Sequence, residues 1–372
     1  MNKQIDIIKQ TLYRITPILL IIFTLISCEP FASNTTTQTE AELAAVSETV
    51  LFTPPPLPPT FQTTLINPLD TPHTYVDDTC RYLKNKWNPE TSAPPGTVVM
   101  ILMVGRIQPT GATGPQEITE EDFIKTMQEL KFQGFEAIKM KEFLTFIERN
   151  VKIPPRSVLI IQDGNYDQSY FNRYYRDYWE NWGWTVINGW QSDPDTSKIL
   201  WLENIDMEFE GMVDHQAMGV NPDSTLSDES AKTVIARELQ GPLDAFGKKY
   251  GKNPLAFIWA NGGFGQRPVE AARLLKYQLG FTANQRGPVM YNWIPLADEL
   301  DPERPAYIPE GKINDPLMTL PRYHVNEAFT AIDQVRAIGK EAAAYAEANR
   351  NNELEYYDIV CSEDYGRIPT IP

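Results

Sequence analysis

The side chains able to do chemistry are few, and most fall where an expected strand gives way to a loop. In chain order those positions are Gly105-Arg106, Gln162-Asp163-Gly164, Asn188, Asp214-His215, Asn261-Gly262-Gly263 and Asn284. Two of the groups contain a carboxylate and one also contains an imidazole. Two carboxylates such as Asp163 and Asp214 are enough for acid–base hydrolysis of a glycosidic bond if the fold sets the right gap between them. The chain has only three histidines, His73, His215 and His324, and three cysteines, Cys28, Cys80 and Cys361. Those counts exclude a His-rich metal site, a Cys-rich zinc module and a disulfide scaffold.

The elements that must position these groups alternate in type. Val98–Met103 is a continuous apolar run, the pattern of a strand buried on both faces. Thr119-Glu120-Glu121-Asp122 opens a helix that buries Phe123, Met127 and Leu130, and Gly134 closes it. Phe135–Ile138 reads as a strand, 140–150 as a helix and Val158–Ile161 as a second buried strand. Tyr170, Phe171, Tyr174, Tyr175 and Tyr178 recur at helical spacing, as core packing does. Further strands are expected at 184–188, 211–213, 255–259, 281–284 and 317–320. Helices are expected near 203–209 and over 227–250, 268–276 and 328–349. Seven or eight strands separated by helices imply a parallel α/β arrangement. No Gly-rich dinucleotide fingerprint follows the first strand, which favours a distorted (β/α) barrel over a doubly wound sheet. In such a barrel the chemistry gathers at the C-terminal strand ends, where the polar groups above lie.

The 372 residues carry 49 Asp and Glu against 33 Lys and Arg, a net charge of −16, so no basic face is available for nucleic acid. Lys3, Lys9 and Arg14 precede the apolar run Pro17–Ile26, about half the ~20 residues a spanning helix needs, which fits a secretory signal. Leu25-Ile26-Ser27-Cys28 resembles the lipobox of bacterial lipoproteins. The resemblance implies lipidation of Cys28, export, and anchoring to a membrane in the cell envelope. Residues 28–72, with the tract Pro54-Pro55-Pro56-Leu57-Pro58-Pro59, read as a flexible linker. Residues 73–95 form an N-terminal extension, 96–325 the barrel, and 326–372 a helix and tail packed on it. Cys80 and Cys361 flank the folded region; in an exported protein they can form a disulfide, or remain two buried thiols.

The segment Ile153-Pro154-Pro155-Arg156-Ser157-Val158-Leu159-Ile160-Ile161-Gln162-Asp163-Gly164 is similar to the proline–basic–strand–Asp-Asp-Gly segment of the polysaccharide deacetylase family (NodB homology, carbohydrate esterase family 4). The preceding stretch Phe123–Phe143, with its Leu-Lys-x-x-Gly-Phe core, resembles the same family, and the resemblance covers residues 96–325. It implies a distorted (β/α) barrel. It also implies a divalent metal, zinc first, that activates water against an acetyl amide or ester. In active members one Asp is the base, while the next Asp and a His-x-x-x-His pair hold the metal. Here Gln162 stands in the base's place and Asp163 in the ligand's, or, shifted by one, Asp163 is the base and Gly164 the ligand. His215-Gln216-Ala217-Met218-Gly219 keeps only the first histidine. The resemblance thus points to Asp163 and His215 as metal ligands, with Asp214 as a further candidate, and to Asp163 and His324 as catalytic groups. Trp259-Ala260-Asn261-Gly262-Gly263 and Leu320-Pro321-Arg322-Tyr323-His324 resemble later family segments. They make Trp259, Asn261 and Arg322, with Gln162, the candidates for holding substrate. Trp190, Phe264 and Trp293 join Trp259 as candidates for stacking on sugar. Two functions follow: an envelope deacetylase acting on a polysaccharide or peptidoglycan sugar, or a degenerate relative that binds glycan without hydrolysing it. Both require Asp163 and His215 to face one hollow.

Overall fold

The computed structural model describes residues 53–114, 116–304 and 308–369. In chain order the elements are β1 (Asp70–His73), α1 (Thr79–Trp87), β2 (Val98–Val104), β3 (Arg106–Gln108), β4 (Glu117–Thr119), α2 (Glu120–Phe132), β5 (Glu136–Ala137), α3 (Met140–Arg149) and β6 (Arg156–Asp163). They continue with α4 (Gln168–Tyr174), α5 (Arg176–Trp182), β7 (Val186–Trp190), α6 (Lys198–Glu210), β8 (Val213–Ala217), α7 (Lys232–Lys249), β9 (Ala256–Ile258), α8 (Gln266–Leu274) and β10 (Leu279–Phe281). The last are β11 (Ile294–Ala297), β12 (Tyr323–His324), α9 (Val325–Val360) and α10 (Ser362–Tyr365). Local chemistry explains several boundaries. The Thr119 side chain accepts from the Asp122 amide to start α2, with three acids in the first turn facing the helix dipole. Asn150, Gly183 and Gly211 close their helices in the left-handed region.

The main sheet is parallel and runs β10-β9-β8-β7-β6-β2-β12, with β5 beside the start of β6. It curls until its two ends meet. The Leu320 amide donates to the Gly280 carbonyl at 2.9 Å, Thr282 to Leu320 at 2.9 Å and Arg322 to Asn284 at 3.0 Å, so the segment leading into β12 bonds back to β10. The result is a distorted (β/α) barrel of seven strands. The segment expected as a strand at 317–320 begins instead as a 3-10 turn over Pro316–Met318, and the strand itself follows at Tyr323–His324.

Side-chain alternation sorts the strands into two faces. Val99, Ile101, Leu159, Ile161, Ile187 and Ile258 pack together on the concave face. Met100, Leu102, Val158, Ile160 and Val213 pack on the convex face against Phe123, Met127 and Leu130 of α2 and Ile332 and Val335 of α9. α9 crosses the start of β2 so closely that a Cβ on Gly96 would meet the Gly339 carbonyl at 2.4 Å. Beyond that crossing α9 continues to Val360, where Cys361 is joined to Cys80 at the start of α1 by a disulfide. No helix among the described residues is long and apolar enough to cross a membrane.

The expected linker over residues 28–72 needs correcting at its C-terminal part. From Leu57 onward the chain lies along α9: Tyr345 donates to the Pro59 carbonyl at 2.8 Å, Thr63 to Glu341 at 2.6 Å and Gln334 to the Leu65 carbonyl. Trp293 Nε1 donates to the Phe61 carbonyl at 2.9 Å, and β1 then pairs antiparallel with β11. Prolines stiffen this strap but leave its carbonyls free to accept, and Tyr345, Gln334 and Trp293 supply the donors. The export signal and Cys28 lie outside the described residues.

Candidate functional site

Asp163 ends β6 on the concave face, 8% exposed. Its Oδ1 accepts from Arg322 Nη1 at 2.6 Å, and Arg322, 1% exposed, also donates through Nε to the Thr282 carbonyl at 2.7 Å. The closing segment therefore delivers a guanidinium into the mouth of the barrel, and the Asp163 carboxylate neutralises it. Gly189, opposite Asp163 in β7, keeps the wall open: a Cβ there would lie 3.0 Å from Ile258 Cδ1 and 3.5 Å from Asp163 Oδ1. His324 pairs with Met103 at the join of β12 and α9. Its Nε2 lies 3.1 Å from the Ala283 carbonyl and its backbone N–H donates to Gln285 Oε1 at 3.1 Å. Asp163, Arg322 and His324 are thus gathered around the segment 282–285.

His215 is elsewhere, and the expectation of a shared hollow is corrected by register. Gln162 pairs with Asn188 and Asn188 with His215, whereas Asp163 pairs with Gly189. Paired residues of parallel strands project to the same side and sequence neighbours to opposite sides. His215 therefore points to the convex face while Asp163 points inward. Fully buried under α6 and α7, the His215 ring stacks on Tyr250 at 4.9 Å between centroids and meets Trp190 edge-on. Its Nδ1 lies 2.9 Å from Glu208 and its Nε2 2.9 Å from Asn204. Asp214 is held by Lys252 at 2.8 Å, and Lys252 also reaches Glu208 at 2.6 Å.

Three substrate-holding candidates are corrected because they are enclosed, Gln162 and Trp259 by the same register and Arg322 within the mouth itself. Gln162 has no exposed surface: its Nε2 donates to the Val104 and Gly105 carbonyls at 2.9 Å, and its Oε1 accepts from Tyr175 and Tyr170 at 2.7 and 3.1 Å. Trp259 is buried against Phe257 and donates Nε1 to the Met318 carbonyl at 2.8 Å. Arg322 is enclosed rather than offered to solvent. Trp190, Phe264 and Trp293 are core residues too. Asn261 alone of the four is exposed, in the left-handed region at φ 53°, with its amide 3.3 Å from the Pro222 carbonyl. Of the network around His215, Asn204 and Glu208 carried no sequence signal beyond polar residues one turn apart on a helix, and Lys252 is a loop residue with none.

The sequence resemblance implies a divalent metal, and the donors present do not fit one. A guanidinium already occupies the Asp163 oxygen, and a divalent cation beside it would set two positive centres together. Both nitrogens of His215 are engaged on the other side of the sheet. Among the described residues no group of three His, Cys, Asp or Glu side chains is placed to hold a metal ion.

The convex cluster has a pH signature. Burial pushes the His215 imidazolium below its ordinary range, outweighing the pull of Glu208. Burial would raise the Glu208 carboxyl, but hydrogen bonding from His215 and the charge of Lys252 hold it below its ordinary value. Unfolded chains take up protons first at both groups, so stability is full near neutrality and falls on acidification. A drop in urea midpoint is expected as pH falls below about 6.5, from His215, and a further drop below about 4.5, from Glu208. His215→Gln should flatten the upper part of that dependence; an unchanged profile would refute the assignment.

No family model and no curated protein matches the chain. Among solved structures it is similar to the deacetylase PplD of Streptococcus pyogenes, solved with acetate, at 15% identity and TM-score 0.49, covering 64% of this chain and 98% of that one. It is similar to IcaB of Ammonifex degensii at 14% identity and TM-score 0.48, covering 66% and 97%. A de-N-acetylase of Aggregatibacter actinomycetemcomitans aligns at 12% identity and TM-score 0.48, covering 64% and 99%. These are likenesses of fold.

Proposed function

We propose that the chain is an exported, lipid-anchored polysaccharide-binding protein on a deacetylase-like barrel, without metal-assisted hydrolysis. The observation that carries this reading is the 2.6 Å ion pair of Asp163 with the buried Arg322, which puts a fixed guanidinium where a hydrolase of this kind needs a metal. His215 lies on the opposite face, so the reading no longer draws on a hollow shared with it; the glycan as ligand is supported by the family resemblance of residues 153–164 and by Asp163 and His324 at the mouth. Anchoring is supported by the lipobox-like Leu25-Ile26-Ser27-Cys28.

The test pairs binding with turnover. The full-length protein is incubated with an acetylated chitooligosaccharide and added zinc or cobalt, and both released acetate and complex formation are measured. Saturable binding with no acetate above the metal-only blank is expected. Acetate release that disappears in Asp163→Ala, together with near-stoichiometric zinc, would overturn the reading in favour of a hydrolase. Absence of both binding and release would overturn it altogether.

A further inference from the structure

The mouth end of the barrel carries a second concavity that the Asp163 site does not use. β3 and β4 pair as a short flap beyond β2, and this flap, with the N-terminal turns of α2 and α9, bounds a groove of about 650 Å³. That size falls within the ordinary range of small-molecule sites. The groove adjoins the mouth. The Gly105 amide at the end of β2 donates to the Gln116 carbonyl at 3.0 Å, and Asn326 follows two residues after His324. Its walls include Thr113, Thr119, Asp122, Asn326, Phe329 and Thr330. Phe329 is 49% exposed, an accessible ring on a surface otherwise made of hydroxyl, amide and carboxylate groups.

The walls are acidic on balance, Glu117 and Asp122 against Lys125, and Lys125 is also held by Glu121 at 2.8 Å. Asp122 accepts from Thr119 Oγ1 at 2.8 Å and lies 3.4 Å from Lys125, and Glu117 accepts from Gln108 Nε2 at 2.9 Å and the Thr113 amide at 3.0 Å. A site without a spare cation has nothing to attract an anion. An apolar ring edged by hydroxyls and an amide suits a neutral sugar, which has an apolar C–H face and a polar circumference.

We propose that this groove is a subsite for a neutral sugar unit of an oligosaccharide whose neighbouring unit occupies the mouth, with Phe329 as the stacking platform. The inference rests on the polysaccharide-binding reading and adds the extended, neutral character of the ligand. Calorimetric titration of the full-length protein with N-acetylglucosamine and with its tetrasaccharide tests it. The tetrasaccharide should bind more tightly than the monosaccharide. Phe329→Ala should lose about tenfold in tetrasaccharide affinity, by loss of one stacked ring, with monosaccharide affinity unchanged and Phe329→Tyr retaining the wild-type value. Because Phe329 is half exposed, an unchanged melting temperature is expected for both variants. Equal tetrasaccharide binding by wild type and Phe329→Ala would overturn the subsite and leave the parent reading intact. Wild type binding neither sugar would overturn both.

Discussion

Arg322→Ala is expected to destabilise the fold by about 3–5 kcal/mol, the cost of leaving one half of a buried ion pair without its partner. Arg322 is 1% exposed and Asp163 8%, so water cannot take over the lost contacts. The Thr282 carbonyl would lose its donor as well. The urea midpoints of wild type and Arg322→Ala at neutral pH measure that cost. The double replacement Asp163→Leu with Arg322→Met should cost much less than either single change, since apolar substitutes for a buried pair are often neutral or stabilising. The four proteins form a thermodynamic cycle whose coupling reports the pair directly. Zero coupling would mean that the ion pair does not form in solution, and the non-hydrolytic reading would lose its main support.

Much of the fold was legible because the strongest signals are local. The run Val98–Val104, buried at every position, could only be a strand covered on both sides. Thr119 and the acids after it mark the start of α2, and the strand-then-Gly pattern of Gln162-Asp163-Gly164 marks a strand end. The site was legible only in part. Asp163 lies in the mouth, as its place at a strand end implies, but His215 lies on the opposite face although it too sits near a strand end. Period-two alternation relates neighbours within one strand. It says nothing of how β6, β7 and β8 are set against one another, and a shift of one residue reverses every side chain. Val213, His215 and Ala217 are all buried on one face of β8 while Gln216 is buried on the other, so hydrophobicity could not choose between them. The aromatic residues failed as sugar platforms for a related reason. Trp190 and Trp259 follow the convex parity, where α6, α7 and α8 cover them. The pairing of Asp163 with Arg322 spans 159 residues and is created by closure of the barrel, which no local pattern encodes. The strap over residues 53–72 was misjudged because proline density signals extension without saying whether an extended segment lies free or docks.

Opening the disulfide between Cys80 and Cys361 is expected to have the other large effect. The two half-cystines are 281 residues apart, so the bond closes almost the whole folded region into one loop. In the chain-entropy account such a loop contributes about 5 kcal/mol by restricting the unfolded chain. The native-state setting adds a local consequence. Leu83, Tyr357 and Cys361 form a small cluster remote from the two main cores, joined by Leu57 of the strap. A satellite cluster of that size would hold α1 and the end of α9 weakly without a covalent tie. Replacing both cysteines with alanine should therefore lower the urea midpoint substantially, and it should also raise amide exchange selectively in Thr79–Trp87 and in the last turns of α9. The barrel strands should exchange as in wild type under the same native conditions, because β2, β6 and β7 take their protection from the main cores on either side of the sheet. Two contributions can be separated this way: a loop-entropy effect lowers global stability without changing native exchange, whereas a clamp on the satellite cluster changes exchange locally. A variant with unchanged midpoint and unchanged exchange would show that the bond does not form in solution, and the proposal of export would lose the support of an oxidising compartment.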